Sequence, residues 1–217
     1  AEYVVIPEAN AIESNGLDPA VVALQEPMGN AVHAAFVEPI AGKTVAVTGC
    51  GPIGALTVIA ARRAGAANIV VTDVGDFPLR SALKVGADRA INVAEQPEAL
   101  APYAADKGAF DVLFEASGNE RALRGAFDVL RPRGVIVQLG LGGEMNLPIN
   151  AIVAKEFDLR GTFRFHEEFG TAVELLNKGL VDVKPLISAT VSYRDAGRAF
   201  ALAADRSQAM KVLLDFE

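Results

Sequence analysis

The hexapeptide GCGPIG, residues 49–54, is where residue types and spacing point most directly to chemistry. Gly49, Gly51 and Gly54 fit G-x-G-x-x-G, the turn that carries a strand into a helix over the pyrophosphate of a dinucleotide. The first glycine permits a tight turn, the second lets backbone approach the phosphates with no Cβ in the way, and the third lets the helix pack closely on the strand. Pro52 falls in the opening turn of the helix, where N–H groups lack helical partners and a proline costs no hydrogen bond. The N–H groups that remain there, that of Ile53 among them, and the helix dipole can face a diphosphate. Glycine-rich turns also serve as plain connections, so the context has to support the motif. Asp73 does so: it ends the next β-rich run about 20 residues further on, where the fingerprint calls for an acid that accepts the adenosine ribose hydroxyls. A carboxylate at this position repels a 2′-phosphate, so NAD is expected rather than NADP. Arg80, a turn or two into the following helix, is read as a solvated surface residue and not as a phosphate clamp.

A fold must place that turn at the end of a strand, and the sequence supplies one. From Lys43 to Phe163, short β-branched runs alternate with Ala-rich stretches, the pattern of βαβ units and a parallel sheet. Six strands are expected, at KTVAVTG, NIVVTD, RAINV, FDVLFEAS, GVIVQLG and FDLRGTF. Their near-continuous apolar character suits strands covered on both faces. Helices are expected over Pro52–Ala64, Pro78–Val85, Gln96–Ala105 and Asn119–Leu130, with Gly65 and Gly86 just past the ends of two of them. The result is an α/β fold with a six-stranded doubly wound parallel sheet of the Rossmann type. In such sheets ligands lie at the C-terminal ends of the strands. Further coenzyme contacts are therefore expected from Ala116, Ser117 and Gly118 after the fourth strand, Leu139, Gly140 and Leu141 after the fifth, and Thr162, Phe163 and Arg164 after the sixth. Gly118 and Gly140, taken singly, read equally well as turn glycines.

The flanks break the pattern. Residues 1–40 contain an extended start and an expected helix from Pro19 to Phe36. Residues 166–217 hold a helix ending near Gly179, the segment ISATVSY, a helix around Ala196–Ala204 and a closing strand KVLLDF, whose sheet partners are not evident in the sequence. The expected division is an N-terminal flank 1–40, a coenzyme-binding domain 41–165 and a C-terminal flank 166–217.

Composition narrows the functions. The 217 residues are 51% hydrophobic and 22% charged, a globular profile without long disordered tracts. The net charge of −7 arises from 27 acidic against 20 dispersed basic residues, which argues against a nucleic-acid partner. No apolar stretch reaches the roughly 20 residues that cross a bilayer, and AEYVVIPEAN does not read as a signal peptide. Cys50, the one cysteine, cannot form an internal disulfide, which fits a reducing, cytoplasmic compartment. With two distant histidines, His33 and His166, it cannot supply the clustered ligands of a zinc site. His33 is read as a helix-core residue and His166 as a solvated loop residue.

Beyond the motif, AEYVVIPEAN, LQEPMGNAVHA, GCGPIG with VTD, FEASG, VQLGLGG, KEFDLRGTFRF and MKVLLDF together resemble the zinc-containing medium-chain alcohol dehydrogenases, in particular their sorbitol and L-idonate 5-dehydrogenase branch. The resemblance spans nearly the whole chain. It implies hydride transfer between a C–OH group and NAD, with zinc polarising the alkoxide oxygen in the parent enzyme. The catalytic zinc ligands and the four-cysteine structural-zinc lobe of such enzymes lie outside this sequence, so the chain is expected to be inactive alone. The resemblance also gives Glu26, in Gln25-Glu26-Pro27, the place of an acid beside zinc, and Arg164 that of an arginine near substrate and nicotinamide. It assigns both flanks wholly or partly to the catalytic domain. It further implies a polyol or sugar-acid substrate and a homo-oligomer formed through the outer sheet strand, on the segment after Gly143. The sequence departs from the family at Pro78, where relatives often hold an arginine beside the adenine. Two other functions stand against this one: a stand-alone NAD-binding or redox-sensing module without catalysis, and a zinc-free quinone oxidoreductase relative, the latter disfavoured by Glu26.

Overall fold

Six runs of β-branched and large apolar residues form one parallel sheet in the computed structural model, which describes residues 3–14 and 16–216. They are β1 (Thr44–Thr48), β2 (Asn68–Asp73), β3 (Arg89–Asn92), β4 (Phe110–Glu115), β5 (Leu130–Gln138) and β6 (Asp158–Gly161), in the order β3-β2-β1-β4-β5-β6. This is the doubly wound order expected from the sequence. The winding reverses between β1 and β4, so the C-terminal ends of these neighbours flank the crevice where such sheets hold ligands. Side chains alternate between two cores, one on each face. Val45, Val47, Val112, Phe114, Val135 and Val137 enter one, and Ala46, Leu113 and Ile136 the other. With both faces covered, neither set of positions tolerates polar residues, which is why the strands read as unbroken apolar runs.

Ahead of the sheet, the expected single helix from Pro19 to Phe36 is two: α1 (Pro19–Val22), capped by the Asp18 carboxylate on the Ala20 N–H, and α2 (Gln25–Phe36). Pro27 has no N–H to donate to the carbonyl four residues earlier, so the helix restarts where the proline falls within a first turn. Around the sheet run α3 (Pro52–Arg63), α4 (Asp76–Lys84) and α5 (Glu120–Val129), close to the expected spans, with Gly65 and Gly86 just past the first two. The helix expected over Gln96–Ala105 is a 3₁₀ segment, Pro97–Lys107, broken at Ala105 and Asp106; Pro102 inside it removes a donor. A helix that the sequence did not announce, α6 (Ile149–Lys155), buries none of its residues. It is held by Lys155, whose Nζ lies 2.7–3.1 Å from the carbonyls of Lys107, Phe127, Asp128 and Leu130.

Beyond the sheet lie α7 (Glu168–Asn177), β7 (Ile187–Ser192), α8 (Ala196–Ala204) and β8 (Lys211–Asp215). The two strands find their partner in each other, as a parallel pair, which corrects the expectation that the chain offers them none. The crossover through α8 that a parallel pair requires is not visible as periodicity in either strand alone. Gly29, Ala31, Ala34 and Ala35 of α2 are buried, and their small side chains let α3 and α7 approach closely.

Candidate functional site

At the C-terminal end of β1 the chain turns sharply at Gly49, where φ is 81° and a Cβ would lie 2.7 Å from the backbone of Ser117. A Cβ on Gly54 would run into the Gly49 carbonyl oxygen, so turn and helix touch without side chains between them. Gly51 differs: apart from its own chain neighbours, no described atom lies within 4 Å of where its Cβ would be. It is the N-cap of α3, with extended ψ and no side chain capping the first turn, and Pro52 follows at the first helical position. Protein packing explains two of the three glycines; the third leaves backbone open beside an uncapped helix N-terminus, the cradle a diphosphate needs. The Ile53 and Gly54 N–H groups belong to that first turn.

Asp73 ends β2 beside this turn. Its Oδ2 accepts the Cys50 N–H at 2.7 Å, and its Oδ1 accepts those of Val74 (2.7 Å) and Gly75 (3.0 Å). Three of the carboxylate's roughly four lone-pair positions are thus used within the protein, leaving about one for a ribose hydroxyl. Cys50 is fully buried, and burial, with the Asp73 carboxylate adding to it, pushes its thiol up to about 12, so it is no nucleophile. Pro78 is buried in the first turns of α4, its ring 3.3 Å from where a Cβ on Gly75 would be, and Arg80 is exposed and makes no ion pair among the described residues.

The loops after β4 and β5 meet each other. A Cβ on Gly118 would lie 2.8 Å from the Leu141 carbonyl group, and one on Gly140 would strike the Gly118 N–H. Both glycines are therefore close-approach positions and not simple turn residues. Ala116 is half-buried, Ser117 and Leu141 are exposed, and the Leu139 N–H donates to the Glu115 carbonyl at 2.8 Å. Below them sits Glu115, fully buried, a residue that sequence reading passed over. Its signal was present: an acid closing an apolar strand, followed at once by the small residues ASG.

After β6, Thr162 donates its N–H to the Gln138 carbonyl at 3.0 Å, while Phe163 and Arg164 are exposed, the guanidinium 5.5 Å from the Phe163 ring centre. Arg164 has a φ of 57° and turns the chain so that Phe165 packs on Gly29 of α2, where a Cβ would lie 2.8 Å from the ring. Glu26 is exposed in the first turn of the same helix, three residues before Gly29, with Asn30 donating to its carbonyl at 3.2 Å. Phe165, next to Arg164, thus anchors the segment after β6 on α2, the helix that carries Glu26 in its first turn. No hydrogen bond joins the Arg164 and Glu26 side chains among the described residues.

His33 is not the core residue expected. Its Nδ1 is 3.0 Å from Glu168 Oε1, its side chain is 20% exposed, and its ring lies edge-on to that of exposed His166, 6.0 Å between centres. Burial pushes the Glu168 carboxyl up, but the backbone N–H groups of His166 and Glu168 and the His33 imidazole outweigh it and bring it to about 2.

A family model of zinc-binding dehydrogenases matches residues 52–178, more than half of the chain. The chain belongs to the zinc-binding dehydrogenase family. It is 42% identical to L-idonate 5-dehydrogenase (NAD(P)(+)) of Escherichia coli K12 over 92% of its own length and 58% of that protein. The crystal structure of L-idonate 5-dehydrogenase from that organism superposes with a TM-score of 0.87. An L-threonine 3-dehydrogenase of Streptomyces avermitilis is 37% identical over the whole chain and 64% of its own length. An alcohol dehydrogenase of E. coli CFT073, solved in complex with NADH, superposes with a TM-score of 0.90 at 27% identity, covering 99% of this chain and 65% of that one. The chain therefore spans about three fifths of the length of these relatives.

Among the described residues no group of three or more His, Cys, Asp and Glu side chains is arranged to hold a metal ion. Cys50 is sealed in the core and His33 is committed to Glu168. Nor is any helix among the described residues long and apolar enough to cross a membrane.

Proposed function

We propose that this chain is the coenzyme-binding part of an NAD-dependent, zinc-requiring polyol or sugar-acid dehydrogenase, of the L-idonate 5-dehydrogenase kind, which moves a hydride between a secondary alcohol and NAD. The observation that carries this reading is the open backbone at Gly51, beside an uncapped helix and the Asp73 carboxylate. In this reading Gly49, Gly51, Pro52, Ile53 and Gly54 hold the pyrophosphate, and Asp73 takes a ribose hydroxyl at its remaining lone-pair position. The loops Ala116–Gly118, Leu139–Leu141 and Thr162–Arg164 hold the nicotinamide half. Glu26 and Arg164 are the chain's contribution to the alcohol side, Glu26 as an acid near the metal of the longer enzyme and Arg164 beside substrate and nicotinamide. Zinc enters in this reading as a property of the longer enzyme, in keeping with the lack of a metal-ligand group among the described residues.

The flanks 1–40 and 166–217 are assigned to the catalytic domain. In support, β7 and β8 form a sheet of two strands, a size rarely stable by itself, and leave Phe200 and Phe216 exposed at 70% and 69%. A homo-oligomer through the sheet edge is part of the same reading. There β6 has no outer neighbour, and Ile149, Val153 and Leu159 expose apolar side chains along α6 and β6. We place the enzyme in the cytoplasm, in keeping with its unpaired cysteine. Titration calorimetry of the 217-residue chain with NADH tests the central claim: saturable binding of one NADH per chain is expected, and no binding by a folded chain would overturn it.

A further inference from the structure

We propose that Glu115 is a positioning residue, whose carboxylate ties together the loops after β4 and β5 and so sets the gap in which the nicotinamide end of the coenzyme is held. This rests on the coenzyme reading above. An acid with no solvent exposure is strongly unfavourable unless its oxygens are fully satisfied. Those of Glu115 accept five hydrogen bonds. Oε1 receives the Ser117 N–H (2.9 Å), the Ser117 hydroxyl and the Thr48 hydroxyl (3.4 Å). Oε2 receives the Gly118 N–H (3.1 Å) and the Gln138 amide (2.5 Å).

The donors come from the ends of β1 and β5 and from the loop after β4, around the C-terminal end of the sheet where β1 and β4 flank the ligand crevice. The backbone joins in, because the Leu139 and Gly140 N–H groups both donate to the Glu115 carbonyl at 2.8 Å. Gln138 extends the link by donating to the Gly140 carbonyl at 2.9 Å, while its own Oε1 is buried without a partner. An amide that leaves its oxygen unsatisfied in order to donate twice is oriented by the acid and the loop it serves. A Cβ on Gly140 would lie 2.8 Å from Glu115 Oε2, so the carboxylate lies directly under both loops. Filling space at this strand end needs only an apolar residue, as at neighbouring Phe114 and Val137. A five-fold acceptor fixes the relative position of two loops, which an apolar residue does not.

Glu115→Gln tests this in the 217-residue chain. The variant keeps the volume but sets an amide nitrogen against one of the two groups of donors, so that tie must open. NADH and ADP-ribose, which lacks the nicotinamide, are titrated by calorimetry, with circular dichroism to check the fold and NADH fluorescence to report the ring's surroundings. The expected result is a loss of about tenfold in NADH affinity, a change in ADP-ribose affinity under about twofold, and NADH emission closer to that of the free coenzyme. Equal losses for both ligands, or no loss for either in a folded variant, would overturn the proposal. If the unmodified chain binds neither ligand, the coenzyme reading falls and takes this one with it. If it binds both equally well, the coenzyme reading stands and the role of Glu115 falls. Should Glu115→Gln not fold, Gln138→Leu cuts the same tie from the β5 side. The same selective loss of NADH affinity is expected from it, and a parallel loss or none overturns the proposal.

Discussion

Asp73 accepts the Cys50 N–H at 2.7 Å, so the acid that ends β2 holds in place the glycine-rich turn that follows β1. In the proposed coenzyme reading the same carboxylate also repels a 2′-phosphate, and two substitutions weigh the two tasks. Asp73→Asn removes the charge but sets an amide nitrogen against either the Cys50 N–H or those of Val74 and Gly75, so NADPH affinity should rise toward that of NADH while the melting temperature falls modestly. Asp73→Ala leaves the Cys50 N–H unpaired, at about 1–3 kcal/mol, and should also lower the melting temperature by several degrees. Calorimetry with both coenzymes and thermal denaturation read the two effects. Equal affinity for NADH and NADPH in the unmodified chain would remove the charge argument.

The glycines of the turn should fail in different ways. Gly51→Val points into open space, so the far-UV circular dichroism and melting temperature should hold while NADH binding is lost. Gly54→Ala drives a methyl into the Gly49 carbonyl and should cost stability, about 1–3 kcal/mol for an overpacked contact, as well as binding. If Gly51→Val retained NADH affinity, the pyrophosphate would have to lie elsewhere.

These residues were legible because their constraints are local. A turn glycine, an acid about 20 residues on and six strands buried on both faces leave marks in composition and spacing. What was misread depended on tertiary context. The pairing of β7 with β8 joins segments separated by α8, and α6 is too short and too exposed to show an apolar face. The break between α1 and α2 does leave a mark in the sequence, Pro27, which lies in the first turn of α2. Glu115 shows the limit most clearly. Its neighbours in sequence hint at a special position, but its partners Thr48 and Gln138 come from strands on either side, and only the sheet order brings them together.

The pair His33–Glu168 links α2 to α7 and should make stability depend on pH in the acid range. The Glu168 carboxyl is brought from 4.5 to about 2 in the folded chain, so its stabilisation is fully present above 4.5 and is lost as pH falls toward 2. Glu168→Gln should therefore be less stable than the unmodified chain at pH 6, by about 1–2 kcal/mol after allowance for solvent screening. The gap should narrow steadily between pH 4.5 and pH 3. Urea denaturation at several pH values measures it, and a gap that stayed constant with pH would show that packing, not charge, holds the two helices.

Turnover separates the dehydrogenase reading from its alternatives. Hydride transfer from an unactivated alcohol needs a Lewis acid or a strong base at the hydroxyl. The described residues offer no metal-ligand group, the one thiol is buried and pushed up to about 12, and the half-buried imidazole is engaged by Glu168. The 217-residue chain should therefore bind NADH yet oxidise neither L-idonate, sorbitol nor simple alcohols, with or without added zinc. Fusing the preceding portion of a close relative, with its Cys, His and Glu ligands, should bring activity back. In that fusion Glu26→Gln should lower kcat by roughly 10–100-fold, the range for groups adjoining a metal's ligands, while NADH affinity changes little, since the proposed coenzyme contacts begin at Gly49. L-threonine belongs in the same assay, because threonine dehydrogenases stand among the relatives. Robust turnover by the chain alone would refute its assignment as a partial enzyme. A fusion that is folded, loaded with zinc and still inert on all these alcohols would shift the weight to an NAD-binding module without catalysis.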